Sequence, residues 1–397
     1  MEIVNAATAF AWSGPLNINN VPMRGIREKQ GHAFSRHGYM AALTDPVVDA
    51  DRYGAMIRAT LRPLSKPTLE RTRGEYARRE VVKFPRYAIL EPTGFCNKAC
   101  PFCSIHVIRR LDEQGNKAGL MLAWSDYLKY MQEAGQHDVY GVSLYTYGEP
   151  LLWRGKDEHG QPLDIRHMVD TAKKVGGYRV ANLSTNGDVD NLDLLLDCDL
   201  DDVIISIDGL TEEVYLQNRP STKKNDVGAF DRTISRVRAF LEKKAARGIS
   251  KPWATVQCIN KTETAPLMRE YISFWIDQPG VDQVTVKNLD GMAPWVGTAA
   301  VSKEESDLKM AVVGNMPCQH LWAIVAMSAS GQFLACCHDA RSELWEKTSD
   351  GRVPNIRNMA VAEWWNGEFM TKLRGEHAGG HFRMPCAACA ERDPWLG

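Results

Sequence analysis

The sequence predicts an α/β fold: a partial (β/α)6 TIM-like barrel over residues 85–290, followed by a small β-hairpin-plus-helix domain over 291–397. Three observations predict it. From Tyr87 onward, short β-branched runs alternate with amphipathic helical stretches, the pattern of βαβ units and a parallel sheet. Most of those runs end in a polar, glycine-marked segment, and the loops after parallel strands line one mouth, where such barrels place their chemistry. After Asp290 the alternation stops.

Taken in order, residues 1–84 are poor in strand signals and carry thirteen Lys/Arg against eight Asp/Glu. Two readings of this extension stand: a solvated arm packed over the core, or a dock for an acidic or phosphorylated partner. Strands are expected at 87–91, 141–145, 179–184, 203–207, 254–259 and 283–287. Helices are expected at 124–134, 165–175, 191–197, 228–246 and 265–275, most of them long enough to cross back over the sheet. Beyond the barrel, 323–328 and 332–336 flank Gly331 as a hairpin, and a Trp-rich helix follows near 360–374.

At 397 residues and 44% apolar composition, the chain has ample surface to bury in one large domain and an appendage. Its formal net charge of -1 offers no global basic field for nucleic acid. No run approaches the roughly 18 apolar residues that span a bilayer, and the N-terminus lacks a basic signal-peptide region, so no membrane partner and a cytoplasmic location are expected. In a reducing compartment, grouped cysteines point to metal or catalysis. Seven of the ten cysteines fall in two groups.

The first is Cys96-x3-Cys100-x2-Cys103, just beyond the first expected strand. Three closely spaced thiolates suit iron–sulfur or zinc. The loop holds no fourth ligand, and an open coordination position is what a catalytic metal site keeps.

This spacing, its place after strand one, and Phe102 before the last cysteine resemble the radical S-adenosylmethionine superfamily. Three later segments follow in the family's order: Tyr147-Gly148-Glu149-Pro150, Ser184-Thr185-Asn186-Gly187 and Ser206-Ile207-Asp208-Gly209. The resemblance implies a [4Fe–4S] cluster on Cys96, Cys100 and Cys103 whose remaining iron is chelated by S-adenosylmethionine. It implies reductive cleavage to a 5′-deoxyadenosyl radical that abstracts hydrogen from carbon, with an electron donor such as flavodoxin or ferredoxin. By the same resemblance, Gly148 and Glu149 meet the amino group of S-adenosylmethionine, and Ser184, Asn186 and Ser206 meet its ribose and carboxylate. The resemblance also implies that Phe102 and Tyr147 are cofactor-binding residues. Tyr147 stands where the family carries its first glycine. Ser184, Asn186 and Ser206 also read as ordinary turn or cap residues.

The second group is Cys318, Cys336, Cys386 and Cys389. Cys-x12-Gly-x4-Cys, with Gly331 as the glycine, resembles the start of a SPASM auxiliary-cluster domain. One Cys-x2-Cys pair follows before the end of the given sequence, so the shorter twitch-type relative fits, implying one auxiliary [4Fe–4S] cluster. A four-cysteine zinc ribbon is the other reading. Because neighbours on a strand face opposite ways, Cys336 is expected to ligate and Cys337 not.

Cys198 and Cys258 remain. Cys198 reads as a small buried hydrophobe. Cys258, on a barrel strand, is either a core thiol or an inward hydrogen-atom donor to a substrate radical. Tyr145, Asn288, Asp290, Trp295 and Arg341 are the candidate substrate contacts, and their polarity favours a small polar natural-product intermediate such as a sugar, aminocyclitol or nucleoside. The alternatives are a maturase acting on a ribosomally made peptide, and a zinc-bearing nucleic-acid module.

Overall fold

Runs such as Val203-Ile204-Ile205 are apolar on both faces, which a strand tolerates only when it is covered on both sides. The computed structural model, which describes residues 32–35, 77–78, 81–288 and 317–389 apart from scattered positions, bears this out. Strand β7 (Asp202–Ser206) is buried along its whole length. It lies in a nine-stranded sheet with β1 (His32–Ser35), β2 (Tyr87–Leu90), β3 (Gly141–Ser143), β6 (Val180–Thr185), β8 (Trp253–Asn260), β9 (Gln283–Asn288), β10 (Ile324–Met327) and β11 (Phe333–Leu334). The sheet order is β1-β9-β8-β7-β6-β3-β2-β10-β11, and a separate two-stranded ribbon pairs β4 (Gly155–Lys156) with β5 (Pro162–Leu163).

All neighbours from β10 to β9 run parallel. The two edge strands, β1 and β11, are antiparallel. The expected hairpin therefore forms, but it does not stand apart from the barrel. Its first strand extends the sheet beside β2, with Ile324 opposite Tyr87. The return strand β11 is cut to two residues. At the opposite edge β1 supplies a strand within the stretch expected to lack them. The rest of the extension and the expected boundary near 290 lie outside the described residues.

Helices cover the outer face, and they form where the apolar spacing says they should. In α2 (Ile165–Lys174), Ile165, Met168, Val169 and Ala172 are buried at helical spacing, and the Asp164 side chain caps the start by accepting from Arg166 N. With α1 (Trp124–Ala134), α3 (Glu212–Asn218), α4 (Ala229–Ala246) and α5 (Met268–Ile276), it buries one core against alternate strand residues. Ala181, Leu183, Val203, Ile205, Ala254 and Val256 share that core with Phe240 of α4 and Trp275 of α5. Each large side chain buried in this way contributes about 1.5–3 kcal/mol.

Two expected helices differ. Residues 191–197 give a 3-10 turn, Leu192–Leu196, because three successive leucines have no helical period to bury. The Trp-rich helix splits at the extended Gly367 into α7 (Val361–Asn366) and α8 (Glu368–Gly379). A short α6 (His320–Ala323) precedes β10. Among the described residues, no helix is long and apolar enough to cross a membrane.

Candidate cluster-binding and active site

The loop from Thr93 to Cys103 leaves β2 at the carboxyl mouth of the sheet, and buried charges hold it there. Lys98, in the middle of the Cys-x3-Cys spacing, donates to Asp188 Oδ2 at 2.8 Å, with side chains 0% and 3% exposed. Asp188 lies just after β6 and is also gripped by Arg232 and Arg236; against the upward push of burial, Arg232 and Lys98 hold its carboxyl below the usual range. Asn97 donates to the Asp188 carbonyl at 2.6 Å. Backbone bonds from Ala99 N to Pro220 O and from Thr222 N to Asn97 O tie the same loop to the segment after α3.

A second buried pair, Arg219 with Asp208, is bonded at 2.6 Å. Asp208 also accepts from Ile259 N at 2.6 Å, linking the ends of β7 and β8. The Arg219 guanidinium sits 5.7 Å from the ring centre of Phe102, and Lys261 Nζ sits 5.3 Å away. A third pair, Arg110 with Glu91, pins the chain that follows Cys103; Arg110 Nε donates at 2.8 Å, and Ala329 N donates to the same Glu91 carboxylate at 2.9 Å. A Cβ on Gly94 would fall 2.5 Å from the Arg110 guanidinium carbon, so a larger residue here would displace that guanidinium.

The Tyr147-Gly148-Glu149-Pro150 segment packs directly on the cysteine loop. A Cβ on Gly148 would lie 1.8 Å from Thr93 O, and Glu149 N donates to Phe95 O at 2.8 Å. Only glycine permits that approach. The Glu149 carboxylate, 2% exposed, accepts from Thr185 Oγ1, Asn186 N and Leu151 N at 2.8–3.2 Å. Burial still pushes it up to about 7. Tyr147 takes ordinary backbone, since Asn225 and Ser342 are the non-glycine residues of positive φ among those described. Its hydroxyl donates to the Cys337 carbonyl at 2.9 Å, reaching from the first cysteine group to the second.

Asn186 acts locally as a tie: its amide donates to Asn97 Oδ1 at 2.8 Å and faces Cys96 Sγ at 3.8 Å. Ser184 and Ser206 alternate with core residues Leu183 and Ile205, which places both on the inner face of the sheet. A cleft of about 310 Å³, counting the open space at its mouth, lies beside Cys337 and is lined by Glu91, Arg110, Tyr147, Ser328, Cys337 and Asp339.

The donor set of the first loop fits an iron–sulfur cluster. Burial raises the Cys96 thiol to about 12, with Glu149 adding to it, and raises Cys103 to about 11. Burial raises Cys100 as well, against the pull of Arg219. Such thiols stay protonated unless a cation at the site inverts the local electrostatics and draws the protons off. In the second group, Cys318, Cys336 and Cys386 pack in or against one core, while Cys386 and Cys389 flank a single 3-10 turn. Cys336 and Cys337 are not set on opposite faces of a strand, because β11 has already ended at Leu334, and the neighbouring Cys337 thiol helps push the Cys336 thiol up. The strand-alternation argument against Cys337 therefore fails.

Of the two readings of Cys258, its surroundings fit the core thiol. It shares a strand face with Ala254 and Val256, and that face packs on Tyr271, Ile272 and Trp275 of α5. At 1% exposure the thiol points into the helix layer, away from the barrel interior, so it is not placed to donate hydrogen to a substrate. Tyr145 is half-buried at the mouth. The side chain of Asn288, and Asp290, Trp295 and Arg341, lie outside the described residues. The sequence reading passed over Glu91, Lys98, Arg110, Asp188 and Arg219. Lys98 alone carried a signal, being a cation between two expected metal ligands.

Residues 90–249 match the family model of the radical SAM superfamily, and residues 318–390 match that of an iron–sulfur cluster-binding domain. The chain is 25% identical over 350 residues to a PqqA peptide cyclase of Xanthomonas campestris pv. campestris (strain 8004), covering 79% of this chain and 81% of that one. A PqqA peptide cyclase of Xanthomonas euvesicatoria pv. vesicatoria is 24% identical, covering 79% and 82%. The fold is similar to that of Streptococcus suis SuiB, solved bound to the precursor peptide SuiA, with TM-score 0.55 and 13% identity over 80% of this chain and 72% of that one. SuiB bound to S-adenosylmethionine gives a TM-score of 0.51 at 15% identity, over 89% and 84%. The cyclases are named for a peptide substrate, which overturns the small polar intermediate favoured by the polarity of the mouth.

Proposed function

We propose, from the premise that the chain is a radical S-adenosylmethionine enzyme carrying a C-terminal iron–sulfur cluster-binding domain, that it modifies a ribosomally made peptide by forming a link within it. The observation that carries this reading is the similarity, over 79% of the chain, to curated PqqA peptide cyclases. The cofactors are S-adenosylmethionine, a [4Fe–4S] cluster that binds it and an auxiliary cluster.

In this reading Cys96, Cys100 and Cys103 hold the first cluster, and Cys318, Cys336, Cys386 and Cys389 hold the second. Bound there, the first cluster and S-adenosylmethionine supply a carbon radical strong enough to take hydrogen from a C–H bond, chemistry that no side chain offers. The chain's own residues position and enclose. Gly148 lets the cysteine loop lie against the segment that receives the S-adenosylmethionine amino group, and Glu149 ties the end of β6 to that segment. Ser184 and Ser206 face the interior, where the ribose would lie. The Arg110–Glu91 pair forms one wall of the cleft beside Cys337. An external carrier such as flavodoxin or ferredoxin supplies the electron.

The test is to incubate the reconstituted enzyme, S-adenosylmethionine and reductant with the short peptides encoded beside its gene. A peptide lighter by two hydrogens, with fragmentation blocked across one segment, is expected. Unchanged peptides, with turnover of an aminocyclitol or nucleoside instead, would reverse the proposal.

A further inference from the structure

The four cysteines assigned to the auxiliary cluster leave over a thiol and two imidazoles that come together. His320 opens α6, while Cys337 and His338 sit in the turn after β11. Their ligand atoms all lie within 4.8 Å of one another, all three residues are half-buried, and the Cys336 thiol lies against Cys337 and His320 at the edge of the group. The imidazoles stack with ring centres 6.2 Å apart. The turn that carries two of the three is built in advance. His338 N donates to Cys336 Sγ at 3.4 Å, Asp339 N closes the turn on Cys336 O, and Ser342 N closes the next on Asp339 O. The Asp339 carboxylate accepts from Glu343 N and Leu344 N at 2.7–2.8 Å, and the Tyr147 hydroxyl holds the Cys337 carbonyl.

We propose that His320, Cys337 and His338 form a mononuclear site for a borderline-soft divalent cation, zinc by its chemistry, beside the auxiliary cluster. One thiolate and two imidazoles are a natural zinc set, with bonds of about 2.3 Å to sulfur and about 2.0 Å to nitrogen. Around one such ion, ligand atoms stand roughly 3.5 Å apart, within a small side-chain adjustment of the observed grouping. Iron–sulfur cubes hold their thiolates at separate corners, so three ligand atoms this close suit one ion better than one cluster. The set bridges two elements, and a bound ion would fasten the turn after β11 to the start of α6.

The inference goes beyond the peptide-modifying reading and rests only on Cys336, not Cys337, serving the cluster. Its test uses the anaerobically purified holoenzyme, given one equivalent of zinc chloride and desalted. Metal analysis should find one zinc retained per chain, and zinc-edge X-ray absorption should show one sulfur and two nitrogen neighbours. Cys337→Ser and His320→Ala should each weaken zinc retention at least about tenfold with the iron content unchanged. Cys336→Ser should do the reverse, losing iron and keeping zinc. No retained zinc, or a shell of light atoms alone as from an adventitious ion, would overturn the site. Loss of one cluster's iron in Cys337→Ser would overturn it too, by making Cys337 a cluster ligand. Failure of peptide modification would leave every one of these readouts untouched.

Discussion

The two cysteine groups are held in place by opposite means. Around Cys96, Cys100 and Cys103 the fixing forces are buried ion pairs: Lys98 to Asp188, Arg219 to Asp208 and Arg110 to Glu91. Around Cys318, Cys336 and Cys386 they are apolar packing against Leu321, Trp322, Phe333 and Trp364 in a shared core. Under the proposed assignment, four thiolates close on their own cluster, so the surrounding chain need only pack. Three thiolates would leave one position for a ligand, and the loop bearing them must then be held from outside. Charged pins do this at a cost in desolvation, but they fix geometry more sharply than contact alone.

The severest way to break this comparison is to remove the thiolates. Cys96→Ala, Cys100→Ala or Cys103→Ala should each abolish cleavage of S-adenosylmethionine and remove about four iron atoms per chain, leaving the second cluster's spectrum in place. Iron analysis and release of 5′-deoxyadenosine are the measurements. Cleavage that survives all three changes would mean the pinned loop is not the catalytic one.

Next in size are the pins themselves, and the two ends of one pin should behave differently. Asp188→Asn strands Lys98, whose side chain is fully buried, and should cost about 3–5 kcal/mol. Lys98→Met leaves Asp188 with Arg232 and Arg236 and should cost less. Denaturation midpoints of the metal-free variants test the order. Equal losses would show that the arginines do not compensate, and the loop would then depend on one pair alone.

A smaller effect is expected from Glu149. Its carboxyl is raised to about 7 by burial, above the unfolded value near 4.5, so its contribution to stability is present in full below about 4.5 and is lost as pH rises through about 7. The shift corresponds to about 3 kcal/mol. The thermal midpoint of the metal-free chain should therefore fall between pH 5 and pH 8, and Glu149→Gln should flatten that slope. An unchanged slope in the variant would place the titrating group elsewhere.

Strands and helices were legible because period-2 and period-3.6 patterns are local, and the cysteine loop was legible because its ligands are adjacent in sequence. The pins were not. Lys98 and Asp188 are 90 residues apart, and no local pattern states which acid a buried lysine will meet. The argument that separated Cys337 from Cys336 failed for a related reason: alternation holds only while the strand lasts, and the ladder of β11 with β10 covers two residues and ends at Leu334. The parallel pairing of β10 with β2 also escaped, since a hairpin signal says nothing about a third strand.

Cys258 sharpens the comparison with the smallest effect. On β8 the face that carries Ala254, Val256 and Cys258 belongs to the helix layer, and the polar mouth is reached from the other face. Burial raises its thiol well above the ordinary value, and the nearby Asp208 adds to this, so it remains an uncharged packing group. Replacing Cys258 with Ala removes one sulfur from a filled site and should cost about 1 kcal/mol, with the product and its hydrogen content unchanged. Turnover in deuterated water reads the point directly: wild type and variant should give products with the same deuterium. A difference at one carbon would mean that the strand turns its thiol inward during turnover, and that the barrel interior holds a reactive group of its own.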